Sequence, residues 1–181
     1  MQFPALHLLP EEQLLLEGVA NQQVSKLNTL GGQLYLTSRR LVFTAHSGNI
    51  GGARTLVIPL SDIAMRDNSF EFRVTSNWIS YNLYIKQKSG AEVRYVVTKS
   101  KKTLWIDRIA QALAGTTMLC EGCGAVSAIS LDVLVNCEYC SRPKTFNPAR
   151  VEVMHCKGCG AFVVVTGSAS ACDYCTRRVT R

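Results

Sequence analysis

Eight cysteines stand between Cys120 and Cys175 as four C-x-x-C pairs, Cys120/Cys123, Cys137/Cys140, Cys156/Cys159 and Cys172/Cys175, and the chain contains no other cysteine. A two-residue gap lets the backbone fold into a knuckle that aims both sulfurs at one metal, and two such pairs complete a tetrahedral thiolate site for zinc. The arithmetic predicts two zinc ions. The stretch is also a duplication: Met118-Leu-Cys-Glu-Gly-Cys-Gly-Ala recurs as Met154-His-Cys-Lys-Gly-Cys-Gly-Ala, and Cys137-Glu-Tyr-Cys140 recurs as Cys172-Asp-Tyr-Cys175. A duplicated unit implies that one copy once folded alone around its own metal, which favours sequential ligation. Cys120, Cys123, Cys137 and Cys140 then hold one ion, and Cys156, Cys159, Cys172 and Cys175 the other. A cross-braced arrangement, first pair with third and second with fourth, uses the same eight residues and stays open. His155 abuts Cys156 and is read as a surface residue, because both sites are already full.

Four cysteines close a zinc coordination sphere, whereas a catalytic zinc keeps one position open. That argues against metal-assisted hydrolysis. A thiol oxidoreductase would place C-x-x-C beside a βαβ pattern, and none surrounds these pairs. His7, His46 and His155 form no recognisable triad with Ser or Asp, and Gly51-Gly52 lacks the Lys and helix of a phosphate-binding loop. The expectation is a protein without catalytic residues and without a small-molecule substrate.

The 181 residues suit one ordinary domain followed by a cysteine-rich tail too small to build much core. The divisions predicted are 1–115, 116–146 and 147–181, with Pro143 and Pro148 stiffening the spacer between the two cysteine units. No apolar run approaches the ~18 residues of a membrane-spanning helix, and the opening Met-Gln-Phe-Pro-Ala-Leu-His lacks the layout of a signal peptide. A cytoplasmic protein is expected, and there paired thiols are metal ligands rather than disulfides. The formal charge of +7 counts every cysteine as a neutral thiol. Each zinc held by four thiolates brings a net −2, so the loaded chain falls to about +3 and its tail, residues 116–181, to about −2. Basic surface is therefore sought in the first domain or at Arg177, Arg178 and Arg181.

The elements that must carry these residues read as strands closed by one helix. Gln33-Leu-Tyr-Leu-Thr37 and Arg40-Leu-Val-Phe-Thr44 are strands joined by a tight turn. Ser47–Ala53 holds three glycines and reads as a flexible loop. Thr55–Leu60 contains Pro59, which cannot donate a ladder hydrogen bond and belongs at an edge or bend. Phe70-Glu-Phe-Arg-Val74 alternates, and Tyr81–Thr98 is a hairpin turned at Ser89-Gly90, with Leu83 and Ile85 on one face and Tyr84, Lys86 and Lys88 on the other. From Ser100, a candidate N-cap, the period becomes helical through Trp105, Ile109 and Leu113 to Gly115. The fold class predicted is mainly β with one helix: a small antiparallel barrel capped by a C-terminal helix, plus two zinc modules.

Two resemblances sharpen this reading. Gly32-Gln-Leu-Tyr-Leu-Thr-Ser-Arg-Arg-Leu-Val-Phe-Thr44, followed by Ile58-Pro-Leu-Ser-Asp-Ile63, resembles the core of a GRAM domain, a branch of the pleckstrin-homology-like (PH-like) fold, over roughly residues 11–114. Ser38 departs from the Asn frequent in that family, a change confined to the turn. Each cysteine repeat resembles a zinc ribbon, with Gly124 and Gly160 placed where a knuckle needs positive φ. The GRAM resemblance implies a binding module for anionic membrane, phosphoinositide or a protein, and not an enzyme. It fixes no lipid-contacting positions. The residues themselves offer a candidate anionic-ligand patch, Lys86, Lys88 and Arg94 on the hairpin with Lys99, Lys101 and Lys102 at the helix entrance. A solvated strand face is the plainer account of the same cations.

Two functions follow. The first is a non-enzymatic adaptor, whose GRAM-like domain engages membrane or protein while tandem ribbons contact another macromolecule. The alternative is a nucleic-acid-binding ribbon protein of transcription or translation, resting on Arg177, Arg178 and Arg181 with Tyr139 or Tyr174 as stacking surfaces. The negative charge of the loaded tail weighs against it. Val163, Val165 and Tyr174 are read as a miniature core before a docking surface.

Overall fold

Trp105 explains the arrangement of the first hundred residues. The computed structural model describes residues 6–25, 28–49, 52–76, 79–98, 102–120, 123, 125–128, 136–137, 140–142 and 151–181. The chain begins with strand β1 (Leu14–Gln23), followed by β2 (Thr29–Thr37), β3 (Arg40–Ala45) and β4 (Thr55–Pro59). A 3₁₀ turn at Leu60–Asp62 leads to β5 (Met65–Arg66), β6 (Ser69–Ser76), β7 (Ser80–Lys86), β8 (Glu92–Thr98) and helix α1 (Lys102–Gly115). Two inward positions of β1, Gly18 and Ala20, are small, and the indole lies against the first. A Cβ at Gly18 would lie 3.3 Å from Cζ2 of Trp105. Strand and helix thus share one layer of core, and Trp105, Ile109 and Leu113 are all buried.

Among the described residues every strand pair is antiparallel, and β6-β7-β8-β1-β2-β3-β4 forms a continuous curved sheet closed over by α1. The alternation expected of Phe70, Phe72 and Val74 is present, each pointing into the core with Leu83 and Ile85 opposite. Gly90 turns the β7–β8 hairpin at φ +88, a conformation glycine adopts without steric cost. Pro59 ends β4, the outermost strand, where no partner needs its missing N–H.

The sheet does not stop at the barrel. After β9 (Thr117–Leu119) and β10 (Val126–Ala128), which pair with each other, come β11 (Glu152–His155) and β12 (Ala161–Val165). These two belong to the second cysteine repeat, yet β12 pairs with β6 and extends the main sheet to β11-β12-β6. A last hairpin, β13 (Ala169–Ala171) and β14 (Arg178–Thr180), completes that repeat.

Two features were not legible as structure. The first is β1 itself, whose polar Asn21, Gln22 and Gln23 and small inward residues hide the period of a strand lying centrally between β8 and β2. The second is Glu12, a carboxylate with no exposed side chain. It accepts from Leu9 N–H at 2.7 Å, from the Thr37 hydroxyl at 2.6 Å, and from Arg40 Nε and Nη2 at 2.8 and 2.9 Å. Arg40 of the basic pair therefore locks the β2–β3 turn to the chain before β1. Ser38 does the same, its Oγ accepting from Gln13 N–H at 3.1 Å. Asn49 pins the loop expected to be flexible, since its side chain bonds both N–H and C=O of Gly31 and the carbonyl of His46. Ser100 lies outside the described residues.

Burial opposes ionisation of Glu12, but the hydrogen bonds from Arg40, Leu9 and Thr37 outweigh it and hold the carboxyl below its ordinary value. A depressed folded-state pKa gives stability that is present above the ordinary carboxylate range and is lost as pH falls through the folded value. Glu12→Gln should flatten the acid limb of stability against pH, and Glu12→Ala should cost about 3–5 kcal/mol at neutral pH by stranding Arg40, both read from urea titrations. An unchanged acid limb in Glu12→Gln would contradict this role.

Candidate metal centres

The cysteines converge because one small motif is used repeatedly. In each C-x-x-C segment the first cysteine donates its N–H to the carbonyl five residues on: Cys120 to Ala125, Cys137 to Arg142, Cys156 to Ala161 and Cys172 to Arg177, at 2.7–2.9 Å. The residue four positions on then donates back to the first cysteine's carbonyl, as Ser141, Gly160 and Thr176 do at 2.8–2.9 Å. That residue is left-handed each time, with φ of 57, 81 and 57 respectively. The expected positive φ holds at Gly160, while Gly124 lies outside the described residues. Ser141 and Thr176 adopt the same conformation without being glycine, so composition did not reveal them.

The eight sulfurs gather in two sets, Cys120/Cys123/Cys137/Cys140 and Cys156/Cys159/Cys172/Cys175, with the four sulfurs of each set within 4.8 Å of one another. This is the sequential grouping. Within the sets the sulfurs lie 3.4 Å apart for Cys120–Cys140, 3.5 Å for Cys123–Cys137, 3.6 Å for Cys156–Cys175 and 3.4 Å for Cys159–Cys172. Four sulfurs about 2.3 Å from a tetrahedral ion lie about 3.8 Å apart, so both sets fit a metal held by thiolates alone.

The thiols also feel their backbone. Burial opposes ionisation of Cys156, but N–H donors from Cys159 and Gly158, with the Cys175 and Cys172 thiols, bring its pKa down to about 7. Burial pushes Cys159 up to about 12 despite the Ala161 N–H, with Cys172 and Cys175 adding to the rise. The surroundings thus favour the thiolate at Cys156 and oppose it at Cys159, and a cation at the centre would favour it at both.

The second centre is built into the barrel. On β12, Ala161, Val163 and Val165 turn toward Cys156, Cys172 and Val179, forming the miniature core expected for Val163 and Val165. Phe162 and Val164 turn the other way into the barrel core, where Phe162 meets Phe72 edge-on at 5.6 Å. All five residues are buried, so the strand serves two cores at once. Gly160 O accepts from Val74 N–H at 2.8 Å, and a Cβ at Gly160 would collide with the Val74 carbonyl. Asp173, between the last two cysteines, accepts from Asn68 N–H at 3.1 Å and from the Ser69 hydroxyl at 2.7 Å. Tyr174 lies under the guanidinium of Arg66 at 4.8 Å, with that of Arg73 at 5.9 Å. His155 is not a ligand. It is half-buried at this seam rather than on open surface, its ring 5.4 Å from that of Phe162 and its Nε2 3.4 Å from Val74 O.

Of the basic patch, the structure brings Lys86 and Arg94 to one recess of about 280 Å³, shared with Arg73, Glu71, Glu92 and Tyr84. Arg94 is engaged there, with Nε and Nη2 on Asn82 Oδ1 at 3.2 and 2.8 Å and its guanidinium over the Tyr84 ring at 5.1 Å. Arg73, which spacing did not single out, flanks the same ring at 5.7 Å because it stands opposite Tyr84 in register. Lys88 is exposed outside this recess. Lys99 and Lys101 lie outside the described residues, as does the side chain of Lys102, which opens α1. Tyr139 is also outside them.

A scan against protein-family models gives no match, and a search of the curated proteins gives none. Among solved structures the chain is similar to a Vps36 N-terminal PH domain at 20% identity, covering 59% of this chain and 83% of that one with a TM-score of 0.46. It is also similar to PDZ-RhoGEF DH/PH domains in complex with activated RhoA, at 18% identity and a TM-score of 0.43, covering 58% of this chain and 30% of that one. A structure of the Vav1 exchange factor, described for its PH and C1 domains, shows 12% identity and a TM-score of 0.41, covering 72% of this chain and 39% of that one. What the strand order and the capping helix show is the fold class, a curved antiparallel sheet closed over by one helix.

If ligation is sequential, Cys137→Ser lowers the metal content from two equivalents to one by native mass spectrometry, with the second set still loaded. Loss of both equivalents would contradict independent centres.

Proposed function

We propose that the chain is a non-enzymatic adaptor in which a GRAM-type barrel engages anionic membrane or a protein, and two structural zinc ribbons, residues 116–146 and 147–181, mediate further macromolecular contact. The observation that carries this reading is the closure of each cysteine set. Four sulfurs at tetrahedral spacing leave a bound ion no open position for substrate, so its contribution is to fold and rigidity. Zinc is the ion of choice, because all-thiolate tetrahedral sites suit it and the knuckles supply N–H donors to sulfur. The docking of the second ribbon supports the same reading, since it presents a metal-stiffened surface fixed relative to the barrel.

For the barrel, the recess beside Tyr84 gathers Arg73, Lys86 and Arg94, and guanidinium forks suit phosphate or carboxylate groups. Glu71 and Glu92 on the same recess temper its charge, so binding should depend on the geometry of an anionic headgroup as well as on net attraction. Among the described residues no helix is long and apolar enough to cross a membrane, and the proposed membrane association is peripheral, from the cytoplasm.

Sedimentation of the zinc-loaded chain with vesicles of phosphatidylcholine, with and without phosphoinositide, tests the lipid arm. Pelleting should require the phosphoinositide, weaken in high salt, and fall about fivefold or more in a Lys86→Ala/Lys88→Ala variant, at about 1 kcal/mol for a cation near the surface. Equal pelleting by the variant, or none by the parent chain, would shift the barrel's role to protein recognition.

A further inference from the structure

A groove of about 480 Å³ opens on the second ribbon, lined by Met154–Gly158 along one wall and Arg177–Arg181 along the other. Four exposed cations, Lys157, Arg177, Arg178 and Arg181, border it, and no lining residue is acidic. Glu152 closes one end by accepting from Arg181 Nε at 2.8 Å. Gly158 leaves room for the aliphatic stem of Arg177 to lie across the knuckle, which positions that guanidinium beside the groove.

The backbone of the same wall is half used. Ser170 stands opposite Val179, and the bonds Cys172 N–H to Arg177 O and Arg181 N–H to Ser168 O fix which residues of β14 face β13. In an antiparallel pair these alternate, so Arg177, Val179 and Arg181 bond toward β13, and the N–H and C=O of Arg178 and Thr180 turn to the opposite edge. Among the described residues β14 pairs with β13 alone. An open strand edge bordered by cations is a template for an added strand that carries carboxylates.

We propose that this groove receives an extended acidic segment of a partner protein, added along β14 with its carboxylates on Lys157, Arg177 and Arg178. The proposal rests on reading the chain as a binding module and names the partner's chemistry for its second ribbon. Charge decides against a nucleic acid. With zinc held by four thiolates the second centre would bring −2 and Glu152 brings another −1, so the four cations would leave only about +1, little for a polyphosphate but enough for positioned carboxylates. The lining also contains no Phe, Tyr or Trp on which a base could stack, and its one imidazole, His155, is half-buried with its ring 5.4 Å from that of Phe162.

The test uses the full zinc-loaded chain and the fluorescence anisotropy of three labelled probes: a peptide alternating glutamate and threonine, its lysine counterpart, and oligothymidylate. The glutamate peptide should bind in preference to both others. Arg177→Gln/Arg178→Gln should weaken it at least about tenfold. Thr180→Pro removes an N–H from the open edge only, leaves the bonds to β13 in place, and should weaken it about tenfold while native mass spectrometry still finds two zinc ions. Preference for oligothymidylate, no binding of the glutamate peptide, or unchanged affinity in both variants would overturn the proposal. Because Lys86 and Lys88 lie outside this groove, failure of vesicle pelleting with peptide binding intact removes the lipid reading and leaves this one standing.

Discussion

The pairing of β12 with β6 is the constraint on which the rest of the molecule depends. A barrel that ended at β6 would present an open edge, with Phe70 and Phe72 behind it. The second ribbon covers that edge with a strand apolar on both faces. Each fully buried Phe or Val side chain contributes about 1.5–3 kcal/mol, so Phe162 and Val164 are a substantial share of the barrel's marginal stability. The opposite face of the same five residues is the small core of the second cysteine repeat, which a bound ion would stiffen. Barrel stability and the second metal centre are coupled through one strand.

The two cysteine sets therefore have unequal standing despite their common origin. Both use the same knuckle, and both gather four sulfurs at metal-binding spacing. In the second, the knuckle is also an anchor: Gly160 lies against Val74, and Asp173 fastens the β5–β6 turn. The duplicated knuckle has acquired a second task at positions where the copies differ by as little as Glu138 against Asp173. The cations around the second centre fit this account as well, since Arg66 and Arg73 cover Tyr174 while Lys157 and Arg177 offset thiolate charge on the other side.

Much of this was legible because it is local. C-x-x-C spacing reports knuckle geometry directly, Trp105-Ile109-Leu113 reports a helix face, and Leu83 and Ile85 report a half-buried strand. The unreadable parts depend on distant partners. β1 hides in part because Gly18 is kept small for Trp105, which lies more than eighty residues later. Ala161-Phe-Val-Val-Val165 reads as β-prone, but a run apolar on both faces does not say which two surfaces it joins. Glu12 looks like one more acidic surface residue, and only the fold reveals that Arg40, Thr37 and Leu9 enclose it. Ser141 and Thr176 carry a left-handed backbone that their residue types do not advertise.

Amide hydrogen exchange at Val74 and Val164, whose N–H groups cross the seam to Gly160 O and Asn68 O, tests the coupling most directly. Cys172→Ser, which opens the second centre, should speed exchange at both amides and along β6, whereas Cys137→Ser, which opens the first, should leave them protected. Unchanged protection in Cys172→Ser would show that the barrel edge is held without the second metal centre and would contradict the account.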